Sequence, residues 1–333
     1  MTKRKIVIFT ITLAILILII YVKYNFPKRG IISPLGENSS VTEPKPLDKY
    51  SFENLRERQF EDSQITFGKV LKEENRFFSR VFYYTSDGKK VSGLANIPKI
   101  TGKLPVIVML RGFVDQEIYT VGEGTRRSGE VFAENGFLTL APDFLGYGQS
   151  SSPSANPIEE RFETYTTALN LLTSIKTLDM ADFPRIGIWG HSNGGHIALS
   201  ILAITGQAYP TVLWAPVSKP FPYSILYFTD EFEDHGKKLR KVVSDFEKDY
   251  DVEKYTFTNY LDWISAPIQL HQGSEDEAVP QKWSDQFVDE MRKLKKDITY
   301  YTYPGDDHNF AKGSWNLVVL RNISFFRNHL NRL

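Results

Sequence analysis

The sequence predicts an α/β fold, a mostly parallel central sheet with helices on both faces and a helical cap insertion. Three observations carry that prediction. From residue 104 onward, short apolar runs alternate with amphipathic stretches, the pattern that builds parallel sheets. Leu104–Leu110 (LPVIVML) is a continuous apolar run, as expected of a strand covered on both faces. Residues 185–199 (RIGIWGHSNGGHIAL) pass from a buried strand through a tight glycine-rich turn into an apolar helix.

Taken in order, residues 47–65 mix Phe and Leu with Arg and Glu and predict one short amphipathic helix. Residues 66–96 predict strands, with an aromatic and β-branched run at 77–85, a Ser-Asp-Gly-Lys turn at 86–89 and a second run at 91–97. Further strands are expected at 136–141, 185–189, 211–215, 267–271 and 298–303. Helices are expected at 159–178, 194–205, 281–294 and 314–330. Residues 218–263 are too long for a simple connection and predict a mostly helical insertion over the C-terminal edge of the sheet.

Composition sets the outer bounds. The 333 residues suit one large domain or two modest ones. Lys+Arg and Asp+Glu are 40 each, so no global basic field draws the chain to nucleic acid. Cys is absent from the sequence, which excludes disulfides, thiolate metal sites and cysteine catalysis.

Residues 6–22 (IVIFTITLAILILIIYV) are apolar, flanked by Lys3, Arg4 and Lys5 before and Lys23, Lys28 and Arg29 after. The run is just long enough to cross a bilayer, with Tyr21 and Tyr24 placed as interfacial anchors. It ends in Tyr-Val-Lys-Tyr-Asn-Phe-Pro, which offers no small-x-small cleavage site, so an uncleaved single-pass anchor at 1–25 is expected rather than a signal peptide. The tighter basic cluster before the run places the N-terminus inside and the main domain outside. Residues 26–46 read as a Pro, Gly, Ser and Asn tether to a domain spanning 47–333.

The chemistry centres on Gly190-His191-Ser192-Asn193-Gly194, a G-x-S-x-G turn in strand–turn–helix context. That context holds a serine hydroxyl above the sheet edge as a nucleophile. Such a serine needs a base to take its proton and an acid to orient the base. Of six histidines, His308 lies in a loop after the last expected strand, where it can lean over the sheet edge toward Ser192. The others sit elsewhere: His191 in the turn itself, His196 on the following helix, His235 in the insertion, His271 ending a strand and His329 in the last helix. The acid belongs between serine and histidine in the chain. Glu275, Asp276 and Glu277 compete there, and Asp276 is chosen because Gly273 and Pro280 bracket it. Asp306 and Asp307 are second choices, better placed to shape the His308 loop. Backbone amides of Asn193 and Phe113 are the expected donors to a developing oxyanion.

Together these motifs resemble the α/β-hydrolase superfamily, and within it the catalytic domain of the prolyl oligopeptidase family of serine peptidases. Gly190–Gly195 is similar to that family's G-x-S-x-G-G elbow, and Gly273, Asp276, Val279 and Pro280 to its G-x-x-D-x-x-V-P pattern. Residues 141–150 (APDFLGYGQS) resemble the superfamily's P-D-x-x-G-x-G-x-S turn. The resemblance implies the α/β-hydrolase fold, a Ser192, Asp276 and His308 triad, and no metal or organic cofactor. Two departures stand out. Arg111-Gly112 replaces the usual His-Gly, and about eighty residues precede the first core strand, too few for a propeller of four or more blades. The expected function is a membrane-anchored serine hydrolase cleaving peptide or ester bonds through an acyl-enzyme, with the lipid bilayer as partner through 6–22. A carboxylesterase on small acyl esters and a non-catalytic binding protein on the same fold are the alternatives.

Overall fold

The computed structural model describes residues 45–330 except residue 231. The apolar run at 6–22, and all but the last two residues of the 26–46 tether, lie outside the described residues. Among the described residues no helix is long and apolar enough to cross a membrane.

Nine strands form one sheet: β1 (Thr66–Glu73), β2 (Phe77–Ser86), β3 (Lys89–Pro98), β4 (Leu104–Leu110), β5 (Leu138–Pro142), β6 (Ala181–His191), β7 (Thr211–Trp214), β8 (Ile268–Gly273) and β9 (Ile298–Tyr303). Their order is β1-β2-β3-β5-β4-β6-β7-β8-β9. β1, β2 and β3 pair antiparallel, as does β3 with β5, and every pairing from β5 to β9 is parallel. The helices are α1 (Phe52–Glu57), α2 (Arg126–Glu134), α3 (Pro157–Ser174), α4 (Asn193–Thr205), α5 (Lys237–Asp249), α6 (Gln281–Lys293) and α7 (Trp315–Leu330).

Strand alternation divides the interior. Val106, Val108, Leu110, Ile188 and Leu213 face one apolar cluster, which α3 and α4 complete with Phe162, Tyr165, Ile197 and Ile201. Ile107, Met109, Trp189 and Val212 face the other, closed by Phe132 of α2 and Phe326 of α7. Coverage on both faces explains why the central strands read as unbroken apolar runs rather than alternating ones.

The expected elements recur with shifted ends. The strand expected at 185–189 extends to Ala181–His191, and the helix expected at 159–178 is Pro157–Ser174 followed by a short 3-10 turn. Asn156 caps that helix, its side chain accepting from the Ile158 and Glu159 amides, with Pro157 in the first turn. His271 does not end its strand but sits inside β8, buried. α2 was not expected. Its interior Gly129 hides a packing need: a Cβ there would lie 2.7 Å from Asn96 Nδ2 and 3.1 Å from Met109 Sδ, so the helix rests close against the sheet.

Residues 218–263 contain a helical turn at Tyr223–Leu226, then α5, then 3-10 turns at Val252–Tyr255 and Phe257–Trp263. Their aromatics join the core through Phe162 of α3, whose ring centroid lies 5.4 Å from Phe221, 6.0 Å from Phe246 and 5.2 Å from Tyr255. Burying rings of this kind is worth several kcal/mol, about 3–5 for a full Phe truncation. The segment is therefore bound firmly at its base.

Candidate active site

The C-terminal ends of β4, β6, β7 and β8 lie side by side, since Leu110 pairs with Gly190, His191 with Trp214, and Trp214 with His271. The loops leaving these ends build the site, the usual location in an open α/β sheet.

Ser192 joins β6 to α4 with φ 55° and ψ −120°, a conformation that costs a non-glycine residue about 1–3 kcal/mol. Backbone hydrogen bonds hold it there. Its N–H donates to the Trp214 carbonyl at 2.9 Å, and its carbonyl accepts from Gly195 and Val217, each at 3.0 Å. Close approach dictates the small neighbours. A Cβ on Gly194 would lie 1.9 Å from the Leu110 carbonyl oxygen, a backbone atom that cannot yield.

Asp276 and His308 are brought together. His308 Nδ1 lies 2.8 Å from Asp276 Oδ2, and the Asp276 side chain is fully buried. Gln272 Nε2 donates to the same oxygen at 2.8 Å. The amides of Ala278 and Val279 donate to Oδ1 at 3.0 and 2.8 Å. Four donors thus fix one carboxylate, and a donating Nδ1 leaves His308 Nε2 as the imidazole's acceptor. Glu275 instead turns outward to Lys312, and Glu277 is exposed.

The His308 loop has its own frame. Asp306 is buried and accepts from the amides of Asp307, Lys312 and Ser314 at 3.0, 3.0 and 2.8 Å. Burial pushes its carboxyl up, but these bonds outweigh it and hold the group below the ordinary value. Gly273 at the end of β8 lies directly under this loop: a Cβ would meet the Asp306 and Asp307 carbonyl oxygens at 2.4 and 2.5 Å. The glycine of the G-x-x-D-x-x-V-P stretch is there to let the histidine loop pass.

Sequence reading placed His191 in the turn and gave it no part in the site. Its ring centroid lies 4.6 Å from that of His308, and its Nε2 donates to the His308 carbonyl at 3.1 Å. The residue before the serine is therefore a direct prop for the His308 loop. Among the described residues, Ser192 Oγ and His308 are not hydrogen-bonded to each other. Such contacts commonly tighten only when substrate binds.

The loop after β4 abuts the serine. A Cβ on Gly112 would lie 3.0 Å from Ser192 Cβ and 3.6 Å from its Oγ. Arg111 braces this loop through its side chain. Its Nη1 donates to the Gly112 carbonyl at 2.9 Å and its Nη2 to the Asp143 carbonyl at 3.0 Å. The guanidinium sits among the rings of Tyr147, Tyr119 and Phe144, at 4.0, 4.9 and 5.5 Å from their centroids. Such faces attract a cation, and the attraction grows when water is excluded. Phe113 follows with its side chain exposed. Among the described residues, the N–H groups of Phe113 and Asn193 donate to no backbone carbonyl, so both remain available to a ligand oxygen.

A cavity of about 260 Å³ opens beside these amides, lined by residues that include Phe113, Asn193, Arg161, Ile197, Ile225 and Leu239. The last two come from the 218–263 segment, which thus forms part of its wall. Arg161 carried no signal in the sequence, since a lone arginine on an amphipathic helix reads as a solvated face.

An α/β-hydrolase architecture with a serine on its elbow defines the class, and comparison with known proteins places the chain within it. The profile of the prolyl oligopeptidase family matches residues 125–332. The chain belongs to that family and is a serine hydrolase. It is 25% identical over 251 residues to the uncharacterized peptidase YtmA of Bacillus subtilis, a match covering 74% of this chain and 91% of that one. It is also 29% identical over 136 residues to dipeptidyl aminopeptidase BIII of Pseudoxanthomonas mexicana, covering 38% of this chain but 19% of that protein. Among solved structures, acetyl xylan esterase 1 of Thermoanaerobacterium superposes with a TM-score of 0.60 at 16% identity, covering 85% of this chain and 94% of that one. The acylaminoacyl peptidase of Pyrococcus horikoshii gives 0.59 at 19% identity, covering 82% and 49%. These superpositions establish a shared fold.

The buried imidazole of His191 carries a consequence for pH. Burial, and then the neighbouring His308, push it from 6.5 down to about 3. The unfolded chain binds a proton on this ring near its ordinary value, while the folded chain stays neutral until about 3. The unfolded state therefore holds more protons in that window, and stability falls as pH drops through it. His191→Gln is expected to flatten this loss. Thermal unfolding followed from pH 7 to pH 4 checks it; parallel losses in variant and wild type would count against the assignment.

Proposed function

We propose that Ser192, His308 and Asp276 act as one triad that cleaves acyl compounds through an acyl-enzyme. Ser192 Oγ attacks the substrate carbonyl carbon while His308 Nε2 takes its proton. Asp276 fixes the imidazole tautomer and stabilises the imidazolium that forms. The Phe113 and Asn193 amides hold the oxyanion. His308 then returns the proton to the leaving group, and water, activated by the same imidazole, releases the acyl group. The observation that carries this reading is the 2.8 Å contact between His308 Nδ1 and buried Asp276, made beside the residue that precedes the serine.

Family membership favours a peptide bond as substrate. A second reading, a carboxylesterase on small acyl esters, is favoured by the modest 260 Å³ cavity next to the amides. The two differ in how well the leaving group is bound and protonated. A fluorophosphonate probe is expected to label wild type and not Ser192→Ala. Asp276→Asn and His308→Ala are each expected to lower kcat by about 10³-fold or more, with KM little changed. Labelling that survives in Ser192→Ala would end the reading. Paired rates on a peptide amide and a p-nitrophenyl ester decide between peptidase and esterase, and an untouched amide with ester turnover rules for the second.

We also infer that residues 6–22 anchor the chain in a bilayer, with the catalytic domain exported. The apolar length and basic flanks of that stretch support this. After alkaline extraction the full chain is expected in the membrane pellet and to be open to protease on intact cells. Recovery in the supernatant would refute it.

A further inference from the structure

Arg161 lines the cavity and, among the described residues, no ion pair meets its charge. It sits in the first turns of α3, half-buried, facing the cavity that also takes in Asn193. Its Nη2 donates to the neutral Asn193 Oδ1 at 3.2 Å, and its Nε is buried without a partner. Burial disfavours its charge, and the Tyr165 hydroxyl, not a carboxylate, is what offsets that burial. Behind it stand Tyr165 and His196, joined at 3.1 Å, and burial followed by Arg161 itself keeps that histidine well below its ordinary value.

Glu160 and Glu163 line the same cavity, but neither is paired with Arg161. Glu163 is paired with Lys89 and accepts from the Ser154 amide, and Glu160 is exposed. A desolvated guanidinium with unused donors costs stability unless something of opposite charge meets it. Its planar fork pairs bidentately with carboxylate and phosphate oxygens. The Asn193 hydrogen bond ties it to the residue whose amide faces the scissile carbonyl, so what Arg161 binds lies near the reacting bond.

We propose that this cavity takes a substrate carrying a carboxylate close to the scissile carbonyl, with Arg161 as the residue that selects it. Apolar walls from Ile197, Ile225 and Leu239 would pack the short chain between the two groups. The proposal rests on the serine-hydrolase reading above and narrows its substrate class.

The test uses the full chain and three esters. p-Nitrophenyl hydrogen glutarate carries the carboxylate on the acyl side, 4-carboxyphenyl butyrate carries it on the leaving side, and p-nitrophenyl butyrate is neutral. Wild type is expected to favour one anionic ester in kcat/KM by about tenfold over the neutral one, mainly through KM, and the favoured arm shows which side lies over Arg161. Arg161→Gln is expected to erase that ratio and Arg161→Lys to restore part of it. Glutarate, against glutaramide as the neutral control, should competitively inhibit wild-type turnover of the butyrate ester, which reads the same site without any variant. Neutral-ester turnover with no preference in either arm, or a ratio unmoved by Arg161→Gln, overturns the carboxylate subsite and leaves the hydrolase reading standing. No turnover of any ester together with no fluorophosphonate labelling of Ser192 overturns both.

Discussion

Everything at the site depends on a backbone held where a side chain does not want it. Ser192 keeps a positive φ because three neighbouring segments grip it at once. β7 takes its N–H through Trp214, Val217 and Gly195 donate to its carbonyl, and the Leu110 carbonyl sits so near Gly194 that no side chain fits between them. The cost is about 1–3 kcal/mol, small against the packing on both sheet faces that enforces it. Sheet order does the rest. Because β4, β6, β7 and β8 are neighbours, the loops bearing the amide, the serine and the carboxylate leave one edge together.

A second constraint is less visible. Charged and titratable groups around the serine are separated by role. Asp276 is surrounded by four donors, burial pushes the His191 imidazole down to about 3, and Arg111 is caged among three rings. Each of these fixes a loop. His191 steadies the His308 carbonyl and Arg111 the Gly112 carbonyl, so two side chains position two backbone turns. Arg161 departs from this pattern. Its charge is directed at the cavity and, among the described residues, meets no ion-pair partner, which marks it as a group for something that enters.

Much of the fold was legible because apolar period and turn chemistry survive in the sequence. β9 was located at its observed ends, and β8 and α6 to within one or two residues. The fully buried strands announced themselves as unbroken apolar runs. The nucleophile turn and the Gly273 to Pro280 stretch were legible because close approach demands glycine, and glycine is easy to see. What stayed hidden was decided by tertiary contact. α2 has a glycine in its interior and no capping side chain, so nothing local marks it, yet the sheet needs it there. His191 sat in plain view in the G-x-S-x-G turn, but its work is a contact 117 residues away. Arg161 looked like surface charge because spacing alone cannot say which helical face a cavity will touch.

The central claim is that an imidazole, a hydroxyl and two amides converge on one reacting carbonyl. A crystal structure of the full chain after reaction with a fluorophosphonate tests it most directly. The account predicts phosphorus bonded to Ser192 Oγ, a phosphoryl oxygen within hydrogen-bond distance of the Phe113 and Asn193 amides, and His308 Nε2 facing the ester oxygens with Nδ1 still on Asp276. An adduct whose phosphoryl oxygen points away from both amides, or a His308 ring parted from Asp276, would contradict it.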